Sequence, residues 1–321
     1  MSAIVARAPG KAFLTGEYVV LRGAPALVAA LDRHVTVRLI PGDGRLEIES
    51  LAEETDARVA ETEIDRTADG DVGAVLAAVR AVGFTGGRLT VDSRPCLLGD
   101  RKLGVGRSAA TLVAATAALL AASGERARTR VRAAALVANA DFQSGHGSGA
   151  DVAAAVHGGV IEVRREGAEL VVSPSGLPTS LELVLGWTGE SAPTVPRLAR
   201  FATAQTSPTL SELGTVAEAA AAAASADDAE EFRTAVARSA GLLAHLGTEL
   251  GFPIVTPTLQ RLVDVAAEVG VVAKPSGAGG GDCGIAFPRD AAEASALRSA
   301  WQQAGIMPLP TTVSEEGVTV A

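Results

Sequence analysis

Short strands interleaved with longer helices, without the strict strand–helix alternation of a doubly wound sheet, predict an α+β fold. Two observations carry this: short apolar and alternating segments make roughly the first eighty residues mainly β, and helix-length apolar stretches follow them. The length of 321 residues suggests two domains at about 150 residues each, both large enough to bury a core.

Taken in order, residues 2–7 and 18–21 are short apolar runs around APGKAFLTGE, and 34–40 (HVTVRLI) and 45–49 (RLEIE) alternate as half-buried strands do. A helix is predicted over 72–82 and a strand over 88–92. KLGVGR then leads into SAATLVAATAALLAAS, a long apolar helix stopped by Gly124. A second helix covers 128–142; the three glycines of QSGHGSG end it, and DVAAAVHGG starts a short one. Strands at 159–165 and 168–173 form a hairpin about Glu166 and Gly167. SPSGLPTS (173–180) is the best linker, placing one domain at 1–178 and a second at 179–321. Beyond it come a strand at 181–187, helices at 193–204, 209–225, 228–246 and 256–268, and KPSGAGGGDCGIAF (274–287), whose end is a buried strand. A helix at 290–304 and a strand near 317–320 follow, and no solenoid period recurs.

Composition narrows the function. The net charge is −9 and no Lys/Arg run is long enough to grip nucleic acid or an anionic membrane, so a small-molecule substrate is expected. The N-terminal stretch lacks a signal-peptide pattern, being broken by Gly10, Lys11, Gly16 and Glu17, and the Ala-rich segments 109–122 and 216–226 are too short or too polar at their flanks to span a bilayer. A cytoplasmic protein with free Cys96 and Cys283 is expected, and two cysteines with four scattered histidines offer no zinc cluster.

Three glycine-rich stretches stand out: APGKAFLTGE (8–17), KLGVGRSAA (102–110) and PSGAGGGDCG (275–284), joined by GHGSGAD (145–151). Backbone N–H groups converge on an anion only where no Cβ blocks the approach, and a helix starting directly after such a nest adds its free amides and dipole. The second stretch fits this best. Neither a Walker loop nor a strand–GxGxxG–helix opening is present.

In order and spacing these motifs resemble those of the GHMP kinase family, and within it those of the bacterial phosphomevalonate kinase branch. APGKAFLTGEYVVL is similar to the first motif and KLGVGRSAA to a KxGLGSSAA second motif; KPSGAGGGDCGIAF is nearly the third, while GSGADVAAAVHGGVI and WTGESAPT match flanking segments. The resemblance implies a two-domain fold with a ferredoxin-like C-terminal domain, the active site between the domains, and ATP-dependent, Mg²⁺-assisted phosphorylation of 5-phosphomevalonate by a monomer or homodimer. Mevalonate kinase, or another kinase of this family, is the nearest alternative; a non-catalytic ligand-binding protein of the same fold is another.

The resemblance also implies roles, each beside a plainer one. Asp151 is the catalytic aspartate, or an N-cap; Lys11 stands beside the transferred phosphate, or is a solvated lysine. Ser108 and Glu17 are the Mg²⁺ ligands, against an N-cap and a turn-flanking charge. Lys102, Gly104, Gly106, Arg107, Ser108 and Ala109 bind nucleotide phosphates, with Lys102 alternatively exposed. Lys11, Ser148, Gly149, Lys274, Ser276, Gly277, Ala278 and Gly279 bind the acceptor, and Asp282 stabilises its loop. Arg107 stands where the motif has its first serine; it points along the cleft to a phosphate, or outward to solvent.

Overall fold

The computed structural model describes residues 2–42, 44–52, 55–59, 68–167, 169–190, 201 and 207–321. At the centre of its first sheet, β1 (Ile4–Thr15) and β2 (Ala26–Pro41) pair antiparallel over nearly their whole length. The sequence-based reading of short apolar runs on either side of APGKAFLTGE is corrected here, because β1 continues straight through APGKAFLT, with register shifts at Pro9/Gly10 and Phe13/Thr15. Gly10 marks a close approach instead of a turn: a Cβ there would stand 2.4 Å from the Val105 carbonyl, which accepts from Lys11 N at 2.7 Å. Residues 18–21 fall in a short 3-10 turn, Val19–Arg22, entered through Tyr18 at φ 65°. β2 begins well before its alternating half, since Ala26–Leu31 is buried on both faces and so shows no period of two.

The same sheet gains β3 (Leu46–Ser50), β4 (Thr55–Val59) and β5 (Gly87–Asp92). A two-strand ribbon, β6 (Leu97–Leu98) and β7 (Arg101–Lys102), stands apart from it. The predicted hairpin, β8 (Val160–Glu166) and β9 (Glu169–Ser175), pairs through β8 with β2.

Four helices accompany these strands: α1 (Gly70–Val82), α2 (Arg107–Ala122), α3 (Arg128–Phe142) and α4 (Ala150–His157). α2 is apolar almost all round and nearly every residue of it is buried, as an all-apolar helix must be in water. Its alanines let α1 and the sheet approach closely, so the core of this half is built from Ala, Val and Leu. No described helix is long and apolar enough to cross a membrane.

The second sheet contains β10 (Val184–Trp187), β11 (Val272–Pro275), β12 (Cys283–Phe287) and β13 (Met307–Leu309), in the antiparallel order β11-β12-β10-β13. α5 (Pro208–Ser225), α6 (Ala229–Glu249) and α7 (Pro257–Glu268) connect β10 to β11, and α8 (Ala291–Gln303) connects β12 to β13. This β-α-β-β-α-β connection is ferredoxin-like. Pro at the first turn with a Ser207 or Thr256 cap starts α5 and α7, and Asp228 and Asp290 cap α6 and α8. The chain then returns to the first sheet: β14 (Thr319–Val320) pairs with β1, and Asp32 accepts from Thr311 and Thr312. The helix predicted over 193–204 and the end of WTGESAPT lie outside the described residues, apart from Phe201.

Candidate active site

Segments far apart in sequence enclose one cavity of about 450 Å³ between the two sheets. β1 contributes Lys11 and the turn after it Glu17; the loop after β7 contributes Gly104 and Gly106, and α2 its first residues; α4 contributes Asp151; and the loop after β11 contributes Ser276–Gly279. Of the residues singled out from sequence, Lys11, Glu17, Lys102, Gly104, Gly106, Arg107, Ser108, Ala109, Ser148, Asp151, Ser276, Gly277, Ala278 and Gly279 all line it. Gly149 and Lys274 do not.

The phosphate-type nest is formed by Gly104 and Gly106, at φ 75° and 81°, immediately before α2. Both glycines are required by their neighbours. A Cβ on Gly106 would lie 2.7 Å from Lys11 Cγ, and one on Gly104 would lie 2.2 Å from Asp282 Cβ. The three motifs are thus packed on one another: Lys11 lies across the second, and Asp282 of the third closes against it. Asp282, itself at φ 60°, accepts through its carbonyl from Thr188 N (2.9 Å) and donates through its amide to Glu190 O (2.8 Å), which fixes the loop.

Gly106, a left-handed glycine, is the N-cap of α2, so Ser108 is the second helical residue and its hydroxyl forms no hydrogen bond among the described residues. Gly149, at φ 79°, caps α4 in the same way, packed on Leu136. Asp151 therefore does not cap α4; it sits in the first turn, where its Oδ1 accepts from Val152 N at 2.9 Å. Ser148 Oγ accepts from Ala150 N at 3.3 Å.

Lys274 lies behind the cavity wall, fully buried, and donates to Glu17 Oε1 and to the Pro275 carbonyl (2.7 Å). Burial holds its ammonium below the usual lysine range; the Glu17 carboxylate opposes that shift and the nearby Lys11 charge adds to it. Glu17 Oε1 also accepts from Gly277 N (3.3 Å), while Glu17 Oε2 is buried without a hydrogen-bond partner among the described residues. Ser276 Oγ donates to Phe13 O (3.0 Å) and Tyr18 OH to Ala278 O (2.6 Å), tying the third motif to β1 and its turn. Lys102 is exposed at the rim, its carbonyl taking the Trp187 indole N–H (3.1 Å).

Arg107 does not turn outward. Its side chain is only 8% exposed and its Nη1 lies 3.7 Å from Asp71 Oδ2. Sequence reasoning missed Asp71, along with the cavity residues Tyr18, Asp69, Cys96 and Gln143. An acidic residue at the second position of an otherwise alanine- and valine-rich helix is the signal that could have pointed to Asp71.

A glycine nest at a helix N-terminus, with a lysine packed on it, a second lysine beside it and a carboxylate on the same cavity, is the arrangement of a phosphotransferase acting on a small molecule. The family model for the C-terminal domain of GHMP kinases matches residues 219–306. Over 98% of both chains, the sequence is 32% identical to a phosphomevalonate kinase of Streptomyces sp. (strain CL190). The crystal structure of the Lin0012 protein from Listeria innocua superposes with a TM-score of 0.87 at 23% identity, covering 100% of this chain and 99% of that one. The phosphomevalonate kinase of Streptococcus pneumoniae, in complex with phosphomevalonate and AMPPNP, superposes with a TM-score of 0.82 at 22% identity, covering 98% and 100%. The chain belongs to the GHMP kinase family, and the members it resembles include bacterial phosphomevalonate kinases.

Proposed function

We propose that this chain is an ATP-dependent phosphomevalonate kinase, organised as domains 1–178 and 179–321, which transfers the γ-phosphoryl group of ATP to the phosphate of 5-phosphomevalonate. The observation that carries this is the meeting of Lys11, Lys102, the α2 nest and Asp151 around one cavity. Two anions brought together need cations between and beside them. Lys11 stands at the nest, its stem in the space that Gly106 leaves, and Lys102 is a second cation at the rim.

In the transfer, the bond from the γ-phosphorus to the bridging oxygen breaks, ADP leaves, and a new bond forms to an acceptor phosphate oxygen. That oxygen is already largely ionised near neutral pH, so Asp151 has little proton to remove. Its role is to orient Lys11 and the acceptor. Gly104, Gly106, Arg107, Ser108 and Ala109 hold the nucleotide phosphates from the α2 end; Ser148 and Ser276–Gly279 shape the acceptor side, and Gly149, off the cavity, starts the helix that carries Asp151. Lys274 supports that side from behind through Glu17 and Gly277.

The buried, unpartnered Glu17 Oε2 and the unengaged Ser108 hydroxyl are hard oxygen donors on the same cavity, and they fit a sparsely ligated Mg²⁺. When bound, Mg²⁺ would neutralise charge on the nucleotide phosphates. Replacing Asp151 with Asn tests catalysis directly: turnover should fall by about two orders of magnitude or more while ATP affinity stays near that of the parent. Turnover like that of the parent would remove Asp151 from the mechanism. ATP binding without ADP release on any acceptor, by the parent protein, would support a non-catalytic protein instead.

A further inference from the structure

We propose that Asp71 is a positioning residue for nucleotide binding and acts through Arg107. This rests on the reading of ATP as phosphoryl donor.

A cation as the first residue of a helix opposes the helix dipole, and so is unfavourable unless something else holds it. Arg107 is that first residue, and none of the first turn of α2 is acidic. The compensating charge comes from α1, where Asp71 is fully buried in the first turn, the end of a helix that favours a carboxylate. Three hydroxyls fix it: Ser50 Oγ donates to Oδ2 (2.9 Å), Ser93 Oγ also to Oδ2 (2.6 Å), and Thr111 Oγ1 to Oδ1 (3.0 Å). They come from β3, the segment after β5, and α2, so the carboxylate is held by the sheet and by the helix whose end it serves.

This cluster lies at the cavity wall. Gly70, next to Asp71, and Cys96, three residues after Ser93, line the cavity with Arg107 and Ser108. A guanidinium is planar and its donors have fixed directions, so whatever holds its plane also sets where those donors point. Asp71 Oδ2, 3.7 Å from Nη1, sets a buried countercharge beside the Arg107 guanidinium at the mouth of the nest that Gly104 and Gly106 form. This chain carries the arginine together with its anchor.

The test is calorimetric titration of the full-length protein with a non-hydrolysable ATP analogue and Mg²⁺, in the parent, R107M, R107K, D71N and D71N/R107M, with melting temperatures measured alongside. R107M and D71N should each weaken nucleotide binding on the order of tenfold, as loss of a charge-assisted contact does, and the double variant should bind no more weakly than R107M alone. Steady-state kinetics should show KM for ATP rising more than KM for the acceptor. A full additional loss from D71N in the R107M background, or parent affinity in both R107M and R107K, overturns the proposal. If D71N fails to fold, R107K decides: it keeps a charge for Asp71 but loses the planar fork, and unchanged binding there contradicts the proposal. Nucleotide binding is measured without acceptor, so an error about the acceptor leaves this result untouched.

Discussion

Glu17 and Lys274, 257 residues apart in sequence, form a buried ion pair that joins the turn after β1 to the strand leading into the third motif. Both side chains are at most 3% exposed, and Gly277 donates to the same carboxylate oxygen. Breaking such a pair from one side leaves a buried charge uncompensated. Lys274→Met should therefore cost about 3–5 kcal/mol in denaturant unfolding. Glu17→Gln in the same chain should recover a substantial part of that loss, since the pair is then removed as a unit. A Lys274→Met variant as stable as the parent would mean that the pair does not hold the two halves together.

The glycines of the nest are distinguished by their neighbours. Gly104→Ala places a Cβ against Asp282 at a positive φ, whereas Gly124, also at positive φ (82°), has nothing within 4 Å. Gly124→Ala should cost only the backbone strain, about 1–2 kcal/mol. Gly104→Ala should cost more than that and also weaken ATP binding, because the loop must shift away from Asp282. Equal melting temperatures for the two variants would contradict the packing of the third motif on the second.

Both thiols should be silent in the native protein. Burial pushes Cys96 up to about 12 and raises Cys283 as well, so near pH 8 neither carries appreciable thiolate. A chromogenic disulfide reagent should titrate none rapidly in buffer and two in denaturant. One fast thiol in the folded protein would contradict this.

Two histidines give stability a pH dependence. Burial, then the charge of Arg7, lowers His34; burial, then the charges of Arg132 and Arg128, lowers His157. Above pH 6.5 both are neutral whether folded or unfolded and contribute nothing. As pH falls through 6.5 the unfolded chain takes up these protons first, so stability is lost toward the lower folded values. Unfolding free energy should therefore decline on acidification in this window, and less steeply in a His34→Gln/His157→Gln variant. The same slope in both proteins would show that these histidines are not its source.

Much of this fold is legible in the sequence, for identifiable reasons. α3 runs over the predicted 128–142 because its glycine-rich exit is unambiguous, and the caps Ser207, Thr256 and Asp290 mark their helices. The continuity of β1 through Gly10 was not legible, because the Val105 carbonyl that demands a glycine there lies far along the chain. The pairing of β14 with β1 and the Asp71 cluster were hidden for another reason. Their partners are distant in sequence, and Ser50, Ser93 and Thr111 look individually like ordinary polar residues. That most of the residues singled out line one cavity was legible because glycines, lysines and a carboxylate recur in a recognisable order; that Lys274 stands behind the wall and Arg107 turns to Asp71 required the packing.

The choice of acceptor is the claim most directly open to measurement. Initial rates of ADP release with mevalonate, 5-phosphomevalonate and homoserine, at saturating ATP and Mg²⁺, should give a kcat/KM at least about a hundredfold higher for 5-phosphomevalonate, in keeping with recognition of a charged group. Phosphorus NMR of that product should show a diphosphate. A preference for mevalonate or homoserine, or a phosphate monoester as the product, would contradict a phosphate oxygen as the acceptor.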